Sequence, residues 1–329
     1  MPKNRYYSGP RSDHFDGLRF HAPGGGRDKT LRDMAKMLWR GRRERRKPWP
    51  RAGRFIDGGK PPARVEGARI RISFIGHASF LVQTEGVNLL IDPVWSQRVG
   101  PSGIGPKRIT PPGLAFENLP EIDAVLLSHN HYDHLDVATL SRLARERPAP
   151  VLTPLGNDTI LRRADKAIQA QTFDWGQHAN VGPLKIHFEP TYHWSARGRS
   201  DRRMALWASF VIEGPTHKIF YAGDTGFGDG SIFTDIGRRH GPFRLALLPI
   251  GAYAPRWFMR GQHVDPNESV EIFRRLGAQS AFAFHWGTFR LTEEPYEEPV
   301  TKLKAALAAA GIAPERFLSD PAGASAEWE

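Results

Sequence analysis

Four apolar segments of this chain each lead into a histidine or an aspartate. These residues are His129 after EIDAVLLS, His193 after LKIHFEPTY, Asp224 after HKIFYAG and His285 after SAFAF. Short apolar runs of this kind are typical of buried strands. Strands that end alike place their last side chains along one rim of a sheet. The pattern therefore predicts a strand-rich core with a polar site built where its strands end.

The first of these segments leads into HNHYDHLD, which holds three histidines and two aspartates within eight positions. His129 and His131 are two residues apart, so in extended backbone both point to the same side. Asp133 and His134 lie past a bend and can face a second point. Imidazole and carboxylate are the ligands that zinc accepts where thiolate is absent, and the chain has no cysteine. Each of the two groups is incomplete, and the candidates to complete them are His193, Asp224 and His285.

The remaining pattern alternates strand-like and helix-like segments after about residue 67. Helices are predicted near 137–146, 156–164, 266–276 and 298–310, with strands between them. Asp265 suits the N-cap of the third helix, with Pro266 in its first turn and Glu268 three residues after the cap. Asp136 is similarly placed to cap the first helix. This order predicts an α/β (α+β) fold in which two mixed β-sheets pack together with helices outside.

Residues 1–66 differ from the rest, since they are rich in Gly, Pro and Arg. We interpret them as a basic N-terminal extension that packs on or flanks the core at 67–329, with one helix near Lys29–Arg46. The net charge of the chain is +11, and Arg40–Arg54 carries much of it. That segment is either a solvated arm or a contact with anionic lipid or nucleic acid. Flanking Trp39 and Trp49 favour lipid over nucleic acid.

The sequence predicts neither a signal peptide nor a membrane-spanning segment. The first thirty residues lack the apolar stretch of a signal peptide, and the longest apolar runs are too short to cross a bilayer. We therefore expect a cytoplasmic protein that contacts the membrane peripherally through Arg40–Arg54.

Beyond the ligand pattern, the sequence resembles a known family. HNHYDH fits the HxHxDH signature of the metallo-β-lactamase fold. Further stretches resemble the branch of N-acylphosphatidylethanolamine-hydrolysing phospholipases D, and they follow in the expected order through nearly the entire chain. They are SDHFDGLRF (12–20), FIGHASFLV (74–82), LLIDPVWS (89–96), YHWSAR (192–197), YAGDTGF (221–227), PIGAYAPRWFMRGQHVDPNES (249–269) and FHWGTF (284–289).

This resemblance implies a four-layer αβ/βα sandwich with two Zn²⁺ per chain, whose catalytic domain is 67–329. One zinc would take His129, His131 and His193, and the other would take Asp133, His134 and His285. Asp224 would bridge them, so Asp133 and Asp224 are the catalytic carboxylates. The same resemblance places Tyr132 and His263 at the substrate phosphate or head group. Alternatively, Tyr132 packs and His263 supports a helix start.

The implied activity is hydrolysis of such phospholipids to phosphatidic acid and an N-acylethanolamine, with attack at phosphorus by metal-bound hydroxide. A nuclease, small-molecule phosphoesterase or lactonase of the same fold stays open, because metal ligands barely distinguish these activities. A non-enzymatic lipid- or nucleic-acid-binding protein is the third alternative. The sequence leaves a homodimer open as well.

Several other residues have candidate roles near the site. Asp92 and His77 are candidates to orient a metal-bound imidazole from outside the ligand set. Arg256 and Arg290 are candidates for phosphate contacts. Trp95 and residues 257–259 are candidates to line an acyl-chain entrance, with core packing as the alternative.

Overall fold

Two β-sheets form the centre of the molecule. The computed structural model describes residues 3–24, 29–30, 32–33, 35–37, 39 and 49–329. Within these residues each sheet has seven strands and mixes parallel with antiparallel pairs. The first sheet has the order β14-β1-β2-β3-β4-β5-β6. Its strands are Ser325–Trp328 (β14), Ile70–Gly76 (β1), Ser79–Thr84 (β2), Val87–Ile91 (β3), Ala124–Leu126 (β4), Val151–Pro154 (β5) and Ala170–Phe173 (β6).

The second sheet has the order β13-β12-β11-β10-β9-β8-β7. Its strands are Phe317–Leu318 (β13), Ser280–Phe284 (β12), Leu245–Pro249 (β11), Lys218–Tyr221 (β10), Ser209–Glu213 (β9), Leu184–Glu189 (β8) and His178–Val181 (β7). The two sheets pack face to face through a continuous apolar layer. Aromatic rings fill much of it. Phe74 stacks on Phe80 within the first sheet, and Phe282 of the second sheet lies 5.4 Å from Phe74 between ring centroids.

Helices cover the outer face of each sheet. Val137–Glu146 (α1) and Asn157–Ala164 (α2) pack on the first sheet, where Leu140 and Leu161 join its apolar outer face. Ser231–His240 (α3), Pro266–Arg275 (α5) and Glu298–Ala309 (α6) pack on the second. The short helix α4, Arg256–Met259, precedes α5. The predicted four-layer αβ/βα sandwich with two mixed sheets is therefore confirmed.

Side-chain caps fix two of these helices where the sequence predicted them. The Asp136 carboxylate accepts a hydrogen bond from the Ala138 backbone at the start of α1. Asp265 and Glu268 form a reciprocal capping box at the start of α5. Both caps directly follow loops that carry proposed site residues, so they fix the points at which those loops enter the helices.

The described part of the N-terminal extension lies against the core. Phe15 and Phe20 are buried with Leu206 and Trp207, and the Asn4 amide donates to the Met204 carbonyl at 2.9 Å. Residues 32–33, 35–37 and 39 of the predicted Lys29–Arg46 helix are helical. Its other positions, apart from 29 and 30, lie outside the described residues, as does 40–48 of the Arg40–Arg54 segment. No helix in the described part of the chain is long and apolar enough for a bilayer crossing.

Candidate metal centre

The site lies at one edge of both sheets, where parallel strands end together. β3 and β4 run parallel in the first sheet, and β10, β11 and β12 run parallel in the second. Asp92 and His129 follow the first pair, while Asp224 and His285 follow β10 and β12. Because the carboxyl ends of parallel strands meet at one edge, these side chains converge. His193 reaches the same place from the loop after β8.

The first group of ligand side chains is His129, His131 and His193, here called the histidine pocket. The Nδ1 of His131 lies 2.9 Å from the Nε2 of His129 and 3.1 Å from the Nε2 of His193. His129 and His193 are buried and His131 is partly exposed, and the three rings lie at an angle to one another. Three imidazole nitrogens therefore point at one centre.

The second group is Asp133, His134 and His285, here called the carboxylate pocket. The Asp133 Oδ2 lies 3.5 Å from the Nε2 of His285 and 3.8 Å from the Nε2 of His134. The two imidazole rings stack with centroids 5.6 Å apart. This pocket differs from the histidine pocket in holding a carboxylate of its own.

Asp224 lies between the two pockets and contacts both. Its Oδ2 is 3.6 Å from the Nε2 of His193 and 3.2 Å from the Nε2 of His134. Its Oδ1 is 3.1 Å from the Nε2 of His285. The structure thus brings together all seven residues that the sequence singled out, in the grouping that the resemblance implied.

Asp92 fixes the orientation of two of the imidazoles from behind. Its carboxylate accepts from the Nδ1 of His134 at 2.7 Å and from the Ser128 hydroxyl at 2.6 Å. The Ser128 oxygen is then free to accept from the Nδ1 of His129, 2.9 Å away. Tyr221 donates a further hydrogen bond to Asp92 at 2.7 Å. With Nδ1 as the donor in both rings, the neutral form of each ring presents the lone pair of its Nε2 to the site.

His77, which the sequence suggested as a partner of a metal-bound imidazole, hydrogen-bonds to a carboxylate and packs against an imidazole. Its Nε2 lies 2.9 Å from the Asp133 Oδ2, and its ring packs 4.1 Å from that of His285. In the turn after β1, His77 adopts a left-handed backbone with φ of 58°. Asp92 and His285 are also left-handed, at 40° and 63°. Such conformations cost about 1–3 kcal/mol each and are concentrated at functional sites.

Burial and neighbouring charges shift the imidazole pKa values of the two pockets in opposite directions. In the histidine pocket, burial lowers the pKa of His131 to about 4 and that of His193 to about 3. Burial also lowers the pKa of His129, with nearby imidazoles adding to the effect. In the carboxylate pocket burial opposes the charged state of His285, but Asp224 and Asp133 outweigh it and raise the pKa to about 9.

The other groups near the carboxylate pocket follow the same balance. Burial opposes charge on His134, yet Asp224 and Asp92 raise its pKa well above the usual value. Burial would raise the pKa of Asp224, but His134 and His285 hold it well below the usual range. Burial would also raise the pKa of Asp133, but nearby His285 and the hydrogen bond from His77 hold it well below the usual range. At neutral pH this pocket therefore contains paired opposite charges.

The chemistry of these donors fits a divalent cation. The Nε2 atoms of His134 and His285 and the Oδ1 of Asp224 are buried without a well-formed hydrogen bond among the described residues. In the histidine pocket, nitrogens 2.9–3.1 Å apart approach the separation of about 3.3 Å that tetrahedral ligation with Zn–N bonds of about 2.0–2.1 Å requires. These three nitrogens are therefore close enough together to be ligands of one ion.

A cavity of about 290 Å³ opens directly on both pockets. Its polar lining includes His131, Asp133, Asp224 and His263, and its apolar lining includes Val99, Trp194, Met259 and Leu291. The Nδ1 of His263 is buried without a hydrogen-bond partner in the described part of the chain. Tyr132 also lines the cavity, but its hydroxyl donates to the Arg197 carbonyl at 2.8 Å. Both predicted substrate residues therefore lie at the cavity. The Nδ1 of His263 has no partner there, whereas the hydroxyl of Tyr132 is already hydrogen-bonded.

Several softer sequence predictions lead elsewhere. Arg256 pairs with Glu268 and donates to the His263 carbonyl, so it supports the turn before α5. Trp95 packs against Phe116 in the core of the first sheet. Of residues 257–259, only Met259 lines the cavity at the pockets. Trp194, which the sequence reading left aside, packs 4.5 Å from His131; its position next to His193 was the one available signal.

The αβ/βα sandwich and the two joined His/Asp pockets at its sheet edge define a class, the metal-dependent hydrolases of the metallo-β-lactamase fold. Comparisons with known proteins agree. The beta-lactamase superfamily domain matches residues 87–286. A metallo hydrolase from Ignicoccus hospitalis has a TM-score of 0.58 with 22% identity, over 80% of this chain and 99% of that one. The chain belongs to the beta-lactamase superfamily.

Two relatives are closer in sequence. An uncharacterized protein of Mycobacterium tuberculosis is 41% identical over 251 residues, which is 74% of this chain and 65% of that protein. The chain thus covers slightly under two thirds of that relative's length. The N-acyl-phosphatidylethanolamine-hydrolyzing phospholipase D 1 of Caenorhabditis elegans is 39% identical over 243 residues, 70% of this chain and 68% of that one.

Proposed function

We propose that this protein is a dinuclear zinc phosphodiesterase that cleaves N-acylphosphatidylethanolamine-like phospholipids to phosphatidic acid and an N-acylethanolamine. The observation that carries the proposal is the convergence of seven His and Asp side chains into two pockets that share Asp224 and open on one cavity. Paired metal ions suit in-line displacement at a phosphodiester. The similarity to the nematode phospholipase D supports the lipid substrate.

The ligand assignment follows the two pockets. One zinc ion would be held by His129, His131 and His193, and the other by Asp133, His134 and His285, with Asp224 contacting both. When bound, two zinc ions would supply Lewis acidity and activate water for attack on phosphorus. Two divalent cations outweigh the two carboxylates, so the loaded site would be positive and would attract an anionic phosphodiester.

The chain's own groups would orient the substrate in the cavity. Burial lowers the pKa of His263 to about 3, so its ring is neutral at pH 7 and offers one N–H donor and one acceptor. Its unpartnered Nδ1 makes it the stronger candidate for a contact with the phosphate or head group. Tyr132 presents its ring to the cavity, because its hydroxyl is already bonded to Arg197.

Apolar surface beside the pockets supports an amphiphilic substrate. Val99, Met259 and Leu291 line the cavity next to the polar groups. The loop that carries Val99 also carries Ile104, which is 77% exposed. A small polar diester has little apolar surface to place against these side chains, whereas each acyl CH₂ that they shield from water contributes about 0.8 kcal/mol.

Other parts of the sequence prediction go with this proposal and stay predictions. They are the boundary between the 1–66 extension and the 67–329 catalytic domain, the peripheral membrane contact through Arg40–Arg54, the cytoplasmic location and the homodimer.

The test is a panel of phospholipid vesicles and soluble phosphodiesters assayed with zinc-loaded protein. We expect turnover of N-acylphosphatidylethanolamine that is lost on chelation and restored by zinc. Turnover of a soluble diester with no effect of lipid would instead indicate a nuclease or small-molecule phosphoesterase. Full metal occupancy without hydrolysis of any substrate would indicate a binding protein.

A further inference from the structure

The loop that carries most of the metal ligands has little regular structure of its own. Residues 129–136 bend through a turn in which the Leu135 backbone N–H donates to the His131 carbonyl at 2.8 Å. The carbonyls of Asn130 and Leu135 bracket His131, Asp133 and His134. Whatever holds these two carbonyls fixes the backbone from which three ligands project.

A single, partly buried guanidinium holds both. The Nη1 of Arg197 donates to the carbonyl oxygens of Asn130 and Leu135, each at 2.9 Å. The guanidinium lies 3.9 Å from the centre of the Tyr132 ring. In return, the Tyr132 hydroxyl donates to the Arg197 carbonyl. The side chain is thus locked to the loop at three points.

These contacts indicate that Arg197 holds the backbone of the loop in position, more than that it neutralises a negative charge. Withdrawing a cation even partly from water is costly unless its donors are satisfied, and here the guanidinium donates to two carbonyls of the metal loop. One nitrogen with two N–H groups is a rigid bridge between two acceptors. A lysine ammonium lacks the flat face that packs on Tyr132.

The backbone of Arg197 is in turn fixed by Asp201. The Asp201 carboxylate is buried and accepts from the backbone N–H groups of Arg197 at 3.1 Å and Gly198 at 2.8 Å. It also accepts from the hydroxyl of Tyr6 at 2.7 Å. Tyr6 belongs to the N-terminal extension, far outside residues 87–286 that match the superfamily domain.

Tyr6 is itself held in place. Asn4 accepts from the backbone N–H groups of Tyr6 and Tyr7 at 2.8 and 2.9 Å, and its amide donates to the Met204 carbonyl at 2.9 Å. Thr159 donates to the Tyr6 carbonyl at 3.0 Å. A continuous path of hydrogen bonds therefore runs from the extension through Asp201 and Arg197 to the metal loop.

We propose that Arg197 is a positioning residue for metal binding, and that the N-terminal extension holds it in place through Tyr6 and Asp201. The extension is then part of the scaffold of the metal centre and not only a flanking arm. This inference rests on the proposed metal site, and it assigns no contact between Arg197 and the substrate.

The test compares Arg197→Gln with Arg199→Gln in the full chain. Arg199 is exposed on the same loop two residues away, so it is a matched control for loss of one positive charge. Zinc affinity is measured by chelator competition, and the Co²⁺-substituted proteins are compared by visible absorption. Removing a group that orients metal ligands typically weakens metal affinity about 10–100-fold. We expect that loss and an altered cobalt spectrum in Arg197→Gln, with wild-type behaviour in Arg199→Gln.

Two further variants keep the proposal testable if Arg197→Gln does not fold. Asp201→Asn and Tyr6→Phe remove one partner each along the path, and we expect graded losses of zinc affinity, smaller in Tyr6→Phe. Arg197→Lys should recover part of the affinity. Wild-type zinc affinity and cobalt spectra in Asp201→Asn and Tyr6→Phe would overturn the proposal, as would an equal loss in Arg199→Gln.

The same titrations separate this inference from the proposed function. A wild-type chain that binds no zinc would contradict the metal site itself. A wild-type chain that binds zinc tightly, alongside an Arg197→Gln chain that binds it equally well, would contradict only the role of Arg197.

Discussion

The histidine pocket and the carboxylate pocket lie side by side but are prepared for a cation in different ways. Burial leaves the imidazoles of the first neutral, with the pKa of His193 at about 3. In the second, neighbouring carboxylates keep His285 protonated up to a pKa of about 9. A metal ion therefore enters the histidine pocket without displacing protons, whereas in the carboxylate pocket it must replace them. The comparison indicates that the two pockets load unequally.

Loss of the shared carboxylate should have the largest effect, because it removes the contact common to both pockets. In Asp224→Asn we expect phosphodiester turnover to fall by about three orders of magnitude, since metal ions contribute several kcal/mol to such reactions. Steady-state hydrolysis and metal content measure this. Asp229→Asn, an exposed aspartate five residues away, is the control and should retain activity. An active Asp224→Asn would remove the basis for treating the pockets as one site.

Removing one ligand from either pocket should test separately how each pocket holds its zinc ion. We expect His193→Ala and His285→Ala each to reduce zinc content from two ions to one per chain, while both proteins stay folded. The ion kept by His285→Ala should be the tighter of the two, since it occupies the histidine pocket. If His193→Ala retained the tighter ion, the order of loading would be reversed.

The pH dependence of zinc affinity should distinguish the pockets in the wild-type protein. The raised pKa of His285, about 9, means that zinc competes with a proton below that pH. Affinity in the carboxylate pocket should rise with pH by up to about tenfold per unit for each proton displaced. Affinity in the histidine pocket should stay nearly flat from about pH 6 to 9, because its imidazoles are already neutral. Calorimetric titrations at several pH values measure both, and parallel pH profiles would refute the distinction.

Changes behind the ligands should give the smallest effects. Asp92→Asn weakens the hold on His134 directly and on His129 through Ser128, and we expect about 10–100-fold weaker zinc binding. Tyr221→Phe removes one neutral donor to the same carboxylate. Such a hydrogen bond contributes about 0.5–1.5 kcal/mol, so the loss should be only a few-fold. An equal effect of both variants would show that Asp92 acts through packing.

The candidate ligands and most of the core could be predicted from the sequence, because both leave local patterns in it. Long apolar runs such as those of β1 and β11 predict buried strands, and the Asp265–Glu268 pair marks the start of α5. Strands β6 and β7 are short and partly polar, so no apolar run marks their bounds in the sequence. Helix α3 was not predicted, because Gly230, which precedes it in a left-handed conformation, provides no side-chain cap.

Contacts between distant loops could not be read from the sequence. The ligand spacing in residues 129–134 indicates two groups, but the hydrogen bond from His77 to Asp133 depends on the left-handed turn at His77. The bridge from Arg197 to Asn130 and Leu135 joins segments more than sixty residues apart. Local propensity contains no information about such tertiary pairs.

The most direct measurement of the central claim is hydrolysis of N-acylphosphatidylethanolamine vesicles by zinc-loaded protein in water enriched in ¹⁸O, with mass spectrometry of both products. Attack on phosphorus predicts that the label appears in the phosphatidic acid and not in the N-acylethanolamine. Label in the N-acylethanolamine, or no release of either product by fully loaded protein, would contradict the account.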